Sequence, residues 1–269
     1  MVTKYVTLDE KRKGLSKKES YLLSYLAENR KNIFALKDVM EVLDCSYENA
    51  KVTVERLVKK KWIVRIIKGK YLIVPLTAGV KGEYTEHEFI IASLFKPCYI
   101  GYWTALNYYG FTEQVPNKIF IAIRKRVKDR EILGTKFKFV YISERKFFGF
   151  HDISISSVNV RISDREKTIV DCIDKPKYCG GIEEIVRAIF FAKEEIDFEK
   201  LTNYAIKIGN NTAIKRLGFI LDFLGLNSRN LESKVSDSYS ILDPTKGKVG
   251  KYDSKWRLLV NVSEEELKW

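Results

Sequence analysis

Between Ala35 and Val74 the pattern of apolar positions changes character three times. Leu36, Val39, Met40 and Leu43 recur three and four apart, the spacing of one helical face. Asp44 and Cys45 break it. Ser46 then fits an N-cap, because its hydroxyl can accept from a free backbone N–H of the next turn. The second helix buries Ala50, Val54 and Leu57, with Val58 at the edge of that face, and turns Glu48, Asn49, Val52, Glu55, Arg56 and Lys59 outward. Two strand-like runs follow, Trp62–Ile66 and Tyr71–Val74, around Lys68-Gly69-Lys70, a hairpin with a basic tip. Helix, tight turn, helix and basic hairpin together spell a winged helix-turn-helix, whose second helix enters a major groove while the wing lies along the backbone. Any small helical domain capped by a hairpin shares the coarse pattern. The short turn, the basic tip and the Lys59-Lys60-Lys61 run tilt the reading to DNA.

Around this stretch the chain reads as follows. Residues 1–14 are polar and charged, a mobile arm. Ser16–Asn29 is a helix with the stripe Leu22, Leu23, Tyr25 and Leu26. Pro75 ends the wing, and Thr77–Thr85, with two glycines and no apolar period, is the linker. A helix over Glu86–Phe95 and a short one around Trp103–Tyr109 precede strands at Lys118–Ile123, Phe137–Ile142, Phe147–Ile155 and Val158–Ile162, rich in β-branched and aromatic residues. Ser163 and Glu166 have the capping-box spacing and open a helix through Asp174. Further helices are expected at Ile182–Ala192, Asp197–Ile208, Thr212–Leu224 and Asn230–Ser236, then extended pieces at Ile241–Leu242 and Trp256–Asn261, and a frayed acidic end. The expected architecture is α+β: a winged helix-turn-helix over 1–76, a linker over 77–85, and over 86–269 a larger α+β domain with a mostly antiparallel sheet and a helical C-terminal part.

Charge sharpens this picture. Of a net +13, residues 1–75 carry +8, from 17 Lys/Arg against 9 Asp/Glu, and residues 76–269 carry +5, from 31 against 26. The excess lies where the winged helix lies, which favours a polyanion partner there. Apolar content of 45% suffices for real cores. There is neither an apolar run long enough to span a membrane nor a leader-like N-terminus, so the protein is expected to be cytoplasmic. Cys45, Cys98, Cys172 and Cys179 form no CxxC pair and are expected as buried thiols.

Catalytic patterns are absent: no GxxxxGK[ST], GxGxxG, HExxH or GxSxG, and no Cys/His cluster. His87 and His151 stand alone. Asp171 and Asp174 share a helix face, which in most proteins is a salt-bridge face. The Lys246–Lys251 segment reads as a turn before it reads as a phosphate cradle. The chain is therefore expected to be no enzyme and to need no cofactor or metal.

Three blocks of the second domain carry a family resemblance. YIGYWTALNYYGFTEQVPNKIFIAI resembles the segment opening the effector domain of AbiEi-like antitoxins of AbiE toxin–antitoxin pairs. DREKTIVDCIDKPKYCGGIEEIVRAI looks like that family's second block, and LDPTKGKVGKYDSKWRLLVN is similar to its closing segment. With the winged helix in its place, the resemblance spans about residues 15–262. It implies operator DNA as one partner, with repression of the chain's own operon; self-association on DNA is a separate expectation. It also implies neutralisation of a nucleotidyltransferase-like toxin, through contact or through function alone.

Groove contacts are assigned to Ser46, Tyr47, Asn49 and Lys51 in the first turns of the reading helix, with Val52 placed to meet a thymine methyl. Arg56, Lys59, Lys60, Lys68 and Lys70 are assigned to phosphates. Glu48 and Glu55 either read cytosine or pair with Lys51 and Lys59. A second set of exposed cations, Arg124, Lys125, Arg126 and Lys128 with Lys248 and Lys251, is a toxin or second DNA contact. Competing readings are a winged-helix transcription factor with a ligand-binding or dimerisation domain, and a nucleic-acid enzyme.

Overall fold

The computed structural model describes residues 12–74, 88–132, 134–155 and 158–268. The Thr77–Thr85 linker, Pro75, His87 and residues 1–11 of the arm lie outside them. The chain divides into two compact units, residues 1–94 with 131–135, and residues 95–130 with 136–269.

The first unit opens with α1 (Lys17–Glu28), set by a full capping box: Glu19 N–H donates to Ser16 Oγ and Ser16 N–H to Glu19 Oε2. Leu22, Leu23 and Leu26 are buried, whereas Tyr25 of the expected stripe is exposed and packs on exposed Tyr21. Then come β1 (Ile33–Phe34), α2 (Leu36–Leu43), α3 (Tyr47–Lys59), β2 (Ile63–Ile67) and β3 (Lys70–Ile73). The strands form an antiparallel sheet in the order β1-β3-β2. Phe34, Val39, Ala50, Val54, Leu57 and Ile63 join the α1 leucines in one core. The same unit holds α4 (Glu88–Ser93), whose Glu88 accepts from Thr135 Oγ1 at 2.6 Å.

The second unit is built on β4 (Cys98–Ile100), α5 (Tyr102–Tyr108), β5 (Ile119–Ile123), β7 (Thr135–Tyr141), β8 (Phe150–Ile155) and β9 (Val158–Ser163), while two of the three residues of β6 (Arg130–Ile132) are counted with the first unit. Five strands run in the order β7-β5-β4-β9-β8. The sheet is mixed: β4/β5 and β8/β9 are antiparallel, and β5/β7 and β4/β9 are parallel. The strand pattern missed β6, of whose three residues only Ile132 is buried.

Helices α6 (Arg165–Asp174), α7 (Ile182–Ala192), α8 (Phe198–Lys207), α9 (Asn211–Phe223) and α10 (Arg229–Glu232) follow. The start of α6 differs from the Ser163/Glu166 capping box. Asp164 is the N-cap, accepting from Lys167 N–H at 2.8 Å. Ser163 still belongs to β9, where its hydroxyl bonds Thr168, and Glu166 accepts from Asp197 N–H at 3.0 Å. A small sheet, β10 (Ser240–Ile241), β12 (Leu258–Val260) and β11 (Lys251–Asp253), closes the unit. Helix α11 (Glu264–Leu267) stands where fraying was expected, because Ser263 and Glu266 form a capping box and Leu267 is buried.

Two buried charges organise this unit. Lys167 donates to Asp171 and, at 2.8 Å, to Tyr99 Oη, and Tyr99 donates to Asp171 Oδ2 at 2.7 Å. Asp174, three residues on, binds Lys146 at 2.6 Å, so Asp171 and Asp174 form a salt-bridge face. Arg216 of α9 donates to the carbonyls of Leu242, Ile173 and Ile241 and so ties β10 to α6. Burial pulls the Arg216 pKa down to about 10, still charged at neutral pH.

Gly218 of α9 lies under the ring of buried Trp256, whose Nε1 donates to Asp222 at 2.7 Å. A Cβ there would fall within the ring's van der Waals envelope. Helix propensity alone favours alanine by about 1 kcal/mol, but overpacking of a held ring costs about 1–3 kcal/mol. Gly218→Ala is therefore expected to lower the melting temperature. A variant melting at or above the wild type would show that the ring yields without cost.

Candidate nucleic-acid interface

Helix α3 is held at both ends and along one side. Ser46 caps it, its hydroxyl accepting from Asn49 N–H at 3.4 Å, and the preceding turn bends through Asp44 in the left-handed region. Lys61, at φ 63°, ends the helix and turns the chain into β2. Ala50, Val54 and Leu57 are at most 1% exposed, so the helix presents one fixed outer face. At the hairpin tip Gly69 has φ 77°, a conformation costly for any residue with a Cβ.

Between α3 and the hairpin runs a groove of about 460 Å³. Tyr47, Lys51, Glu55 and Lys59 line it from the helix, and Arg65, Lys68 and Tyr71 from the hairpin. Arg65 and Tyr71 are direct cross-strand partners, which is why they arrive together. Of the residues assigned from the sequence, the structure brings Tyr47, Lys51, Lys59 and Lys68 to this groove. Asn49, Val52 and Arg56 are exposed on the remainder of α3, and Ser46 is exposed at its start with its hydroxyl engaged in the cap. Lys70 opens β3, half-buried. Arg65 and Tyr71 were missed by sequence reasoning. Their signal was the alternation of β2 and β3, readable only once the strand register is known.

Lys60 is the exception among the assigned cations. Its ammonium donates to Glu19 Oε2 at 2.6 Å, and Glu19 is buried. Lys60 thus ties the end of α3 to the start of α1. The arm is tied down beside it: Trp62 Nε1 donates to Lys13 O at 2.8 Å, Lys13 N–H to Lys60 O, and Arg12 stacks on the Trp62 ring. Arg12 and Lys13 are therefore anchored to Trp62 and Lys60.

The second set of cations falls on two separate segments, the loop after β5 and the approach to and start of β11. Arg124 pairs with Glu144 and lies over Phe147, and Arg126 lies over Tyr141. Lys125 and Lys128 are exposed in the same loop after β5. Lys248 and Lys251 are exposed at the small C-terminal sheet, while neighbouring Lys246 is spent on Glu183 and Glu266. Cys98, Cys172 and Cys179 are buried free thiols and Cys45 is half-buried. His151 is exposed on β8. Among the described residues no group of His, Cys, Asp and Glu could hold a metal ion, and no helix is long and apolar enough to cross a membrane.

Residues 21–74, the span from α1 through β3, match the model of a family described as "Transcriptional regulator, AbiEi antitoxin". No curated protein matches the chain. Among solved structures, the crystal structure of the RV2827C protein from Mycobacterium tuberculosis is similar over 98% of this chain and 97% of that one, with a TM-score of 0.71. Sequence identity is 15%, so the likeness is one of fold.

The Lys60–Glu19 pair separates stability from recognition. Burial raises the Glu19 carboxyl pKa, but the bonds from Lys60 and Ser16 outweigh it and leave the pKa below the ordinary value. A carboxyl depressed in the folded state adds stability above its unfolded pKa of about 4.3, and that stability is lost as pH falls through the lower folded value. Lys60→Ala leaves a buried carboxylate short of its partner, a cost of about 1–3 kcal/mol. Denaturation at pH 7 is expected to show this loss, and the gap to wild type is expected to narrow below pH about 4 as Glu19 protonates. An unchanged midpoint at pH 7 would show that the tie between α3 and α1 contributes nothing.

Proposed function

We propose that the first unit is a winged helix-turn-helix that binds double-stranded operator DNA, and that the protein is a DNA-binding antitoxin repressing its own operon. The observation carrying this reading is the groove of α3 and the hairpin, with Lys51, Lys59, Arg65 and Lys68 on its walls. In this reading α3 lies in the major groove and the hairpin follows the phosphates. The match of residues 21–74 to a regulator and antitoxin family supports it independently of the geometry.

Neutralisation of a nucleotidyltransferase-like toxin belongs to the second part of the chain in this reading, with 1–76, 77–85 and 86–269 as working boundaries. Its support is the resemblance of the three sequence blocks. Arg124, Lys125, Arg126, Lys128, Lys248 and Lys251 are the surface offered to toxin or to further DNA. Ion pairing of Arg124 with Glu144 moves the weight to Lys125 and Lys128.

The direct test is binding of the full-length protein to duplex DNA across a salt series. Affinity is expected to fall with log K dropping by about 0.9 per phosphate neutralised. Lys68→Ala is expected to weaken all sequences alike and reduce that slope by about one, whereas Lys51→Ala and Tyr47→Ala cost discrimination, about 1–3 kcal/mol per base contact. Equal losses on operator and scrambled DNA for all three variants would mean that the reading face lies elsewhere. The second role is tested by growth rescue on co-expression with an adjacent nucleotidyltransferase-like gene. A Lys51→Ala/Lys68→Ala chain that no longer binds DNA is expected to rescue still. Loss of rescue would tie neutralisation to the DNA-binding half.

A further inference from the structure

We infer that Glu55 is a specificity-determining residue, selecting a cytosine in the bound DNA. The inference rests on the reading of α3 as the recognition helix. Glu55 is the one carboxylate on the walls of a groove otherwise charged by Lys51, Lys59, Arg65 and Lys68. Lys51 and Lys59 each stand one helical turn from it, the spacing at which Glu–Lys pairs form. Yet among the described residues of this unit the ion pairs are Lys31–Asp38 and Lys60–Glu19, and none involves Glu55. The carboxylate is exposed and its hydrogen-bonding capacity is unspent.

An acceptor-only group in that position is repelled by phosphates and by the N7 and O6 edge of guanine. What rewards it is an amino donor in the major groove. Adenine offers its N6 amino beside the N7 acceptor, which repels the second carboxylate oxygen. Cytosine offers N4 with no acceptor alongside on its own edge, and a carboxylate accepting from that amino group is the favoured pairing. Glu55 thus lowers affinity for DNA in general and returns part of it at one base. Its neighbours on the outer face support the placement: Val52 and Lys59 lie three and four residues away and are exposed.

The experiment is selection from a randomised duplex library by full-length wild type, Glu55→Gln and Glu55→Ala, with thermal melts to confirm that all three fold. The wild type is expected to enrich a motif with a cytosine at one position. Glu55→Gln is expected to move that position to adenine, because an amide meets N6 and N7 together. Glu55→Ala is expected to flatten it. Both variants should lose about tenfold on the wild-type motif while binding random duplex more tightly. An identical motif from all three proteins, with affinity raised uniformly, would reduce Glu55 to an electrostatic brake and overturn the inference while leaving the DNA-binding reading intact. A wild type that retains no duplex at all overturns both.

Discussion

The outer face of α3 is what it is because the inner face is buried without slack. Ala50, Val54 and Leu57 seat against the core that holds Leu22, Leu26, Phe34 and Val39, and a helix so seated cannot rotate about its axis. At about 100° per residue, burying those three positions leaves Glu48, Val52, Glu55 and Lys59 outward. The hairpin is fixed to the same core through Ile63, and Leu72 beside it is also buried. The groove walls are therefore positioned by apolar packing, while the charged groups that line it have no part in holding the unit together.

That separation of labour shows in what each cation does. Lys60 and Lys31 are committed to Glu19 and Asp38. In the second unit the demand for internal neutralisation is larger. Lys167 is wholly buried against Asp171, and Lys146, Lys200, Lys246 and Lys255 each hold at least one carboxylate. Breaking a buried pair such as Lys167–Asp171 leaves an uncompensated charge in a medium of low polarity, which costs several kcal/mol. The acidic-Arg-Glu-Lys-Thr segment of α6 thus has a structural job. Asp164 caps, Glu166 receives Asp197 N–H and Lys200, Lys167 reaches Asp171 and Tyr99, and Thr168 bonds Ser163. Each of these side chains has a partner within the fold.

Much of this was legible before any coordinates. The three-and-four spacing around Leu36–Leu43 and the burial set Ala50, Val54, Leu57 gave α2 and α3 to within a residue, because a helix repeats within a window short enough to see. What failed was decided by partners distant in sequence. Strand β6 went unseen because it has three residues and only one of them, Ile132, is buried. The N-cap of α6 fell to Asp164 because Ser163 was already claimed by β9. Lys60 looked like one more phosphate ligand in a run of three, since its acceptor lies 41 residues upstream. Arg65 and Tyr71 become neighbours only through strand register.

The same reasoning explains why net charge is a poor locator of a site and unpaired charge a better one. A cation already facing a carboxylate presents little field to a polyanion, since the pair is close to neutral at the distance of a phosphate. Arg124 illustrates this: it stands in the most basic loop of the second unit, yet Glu144 offsets it and Phe147 covers its plane. In the groove of α3 the opposite holds, with Lys51, Lys59, Arg65 and Lys68 converging from two elements on one opening. Convergence on a shaped surface, more than the sum of +8 over the first 75 residues, is what supports the proposal that this face takes a duplex. On the proposed reading, a lone carboxylate within such a surface carries more information than a phosphate-facing cation, because a cation on a phosphate suits every sequence and an acid at a base edge suits few.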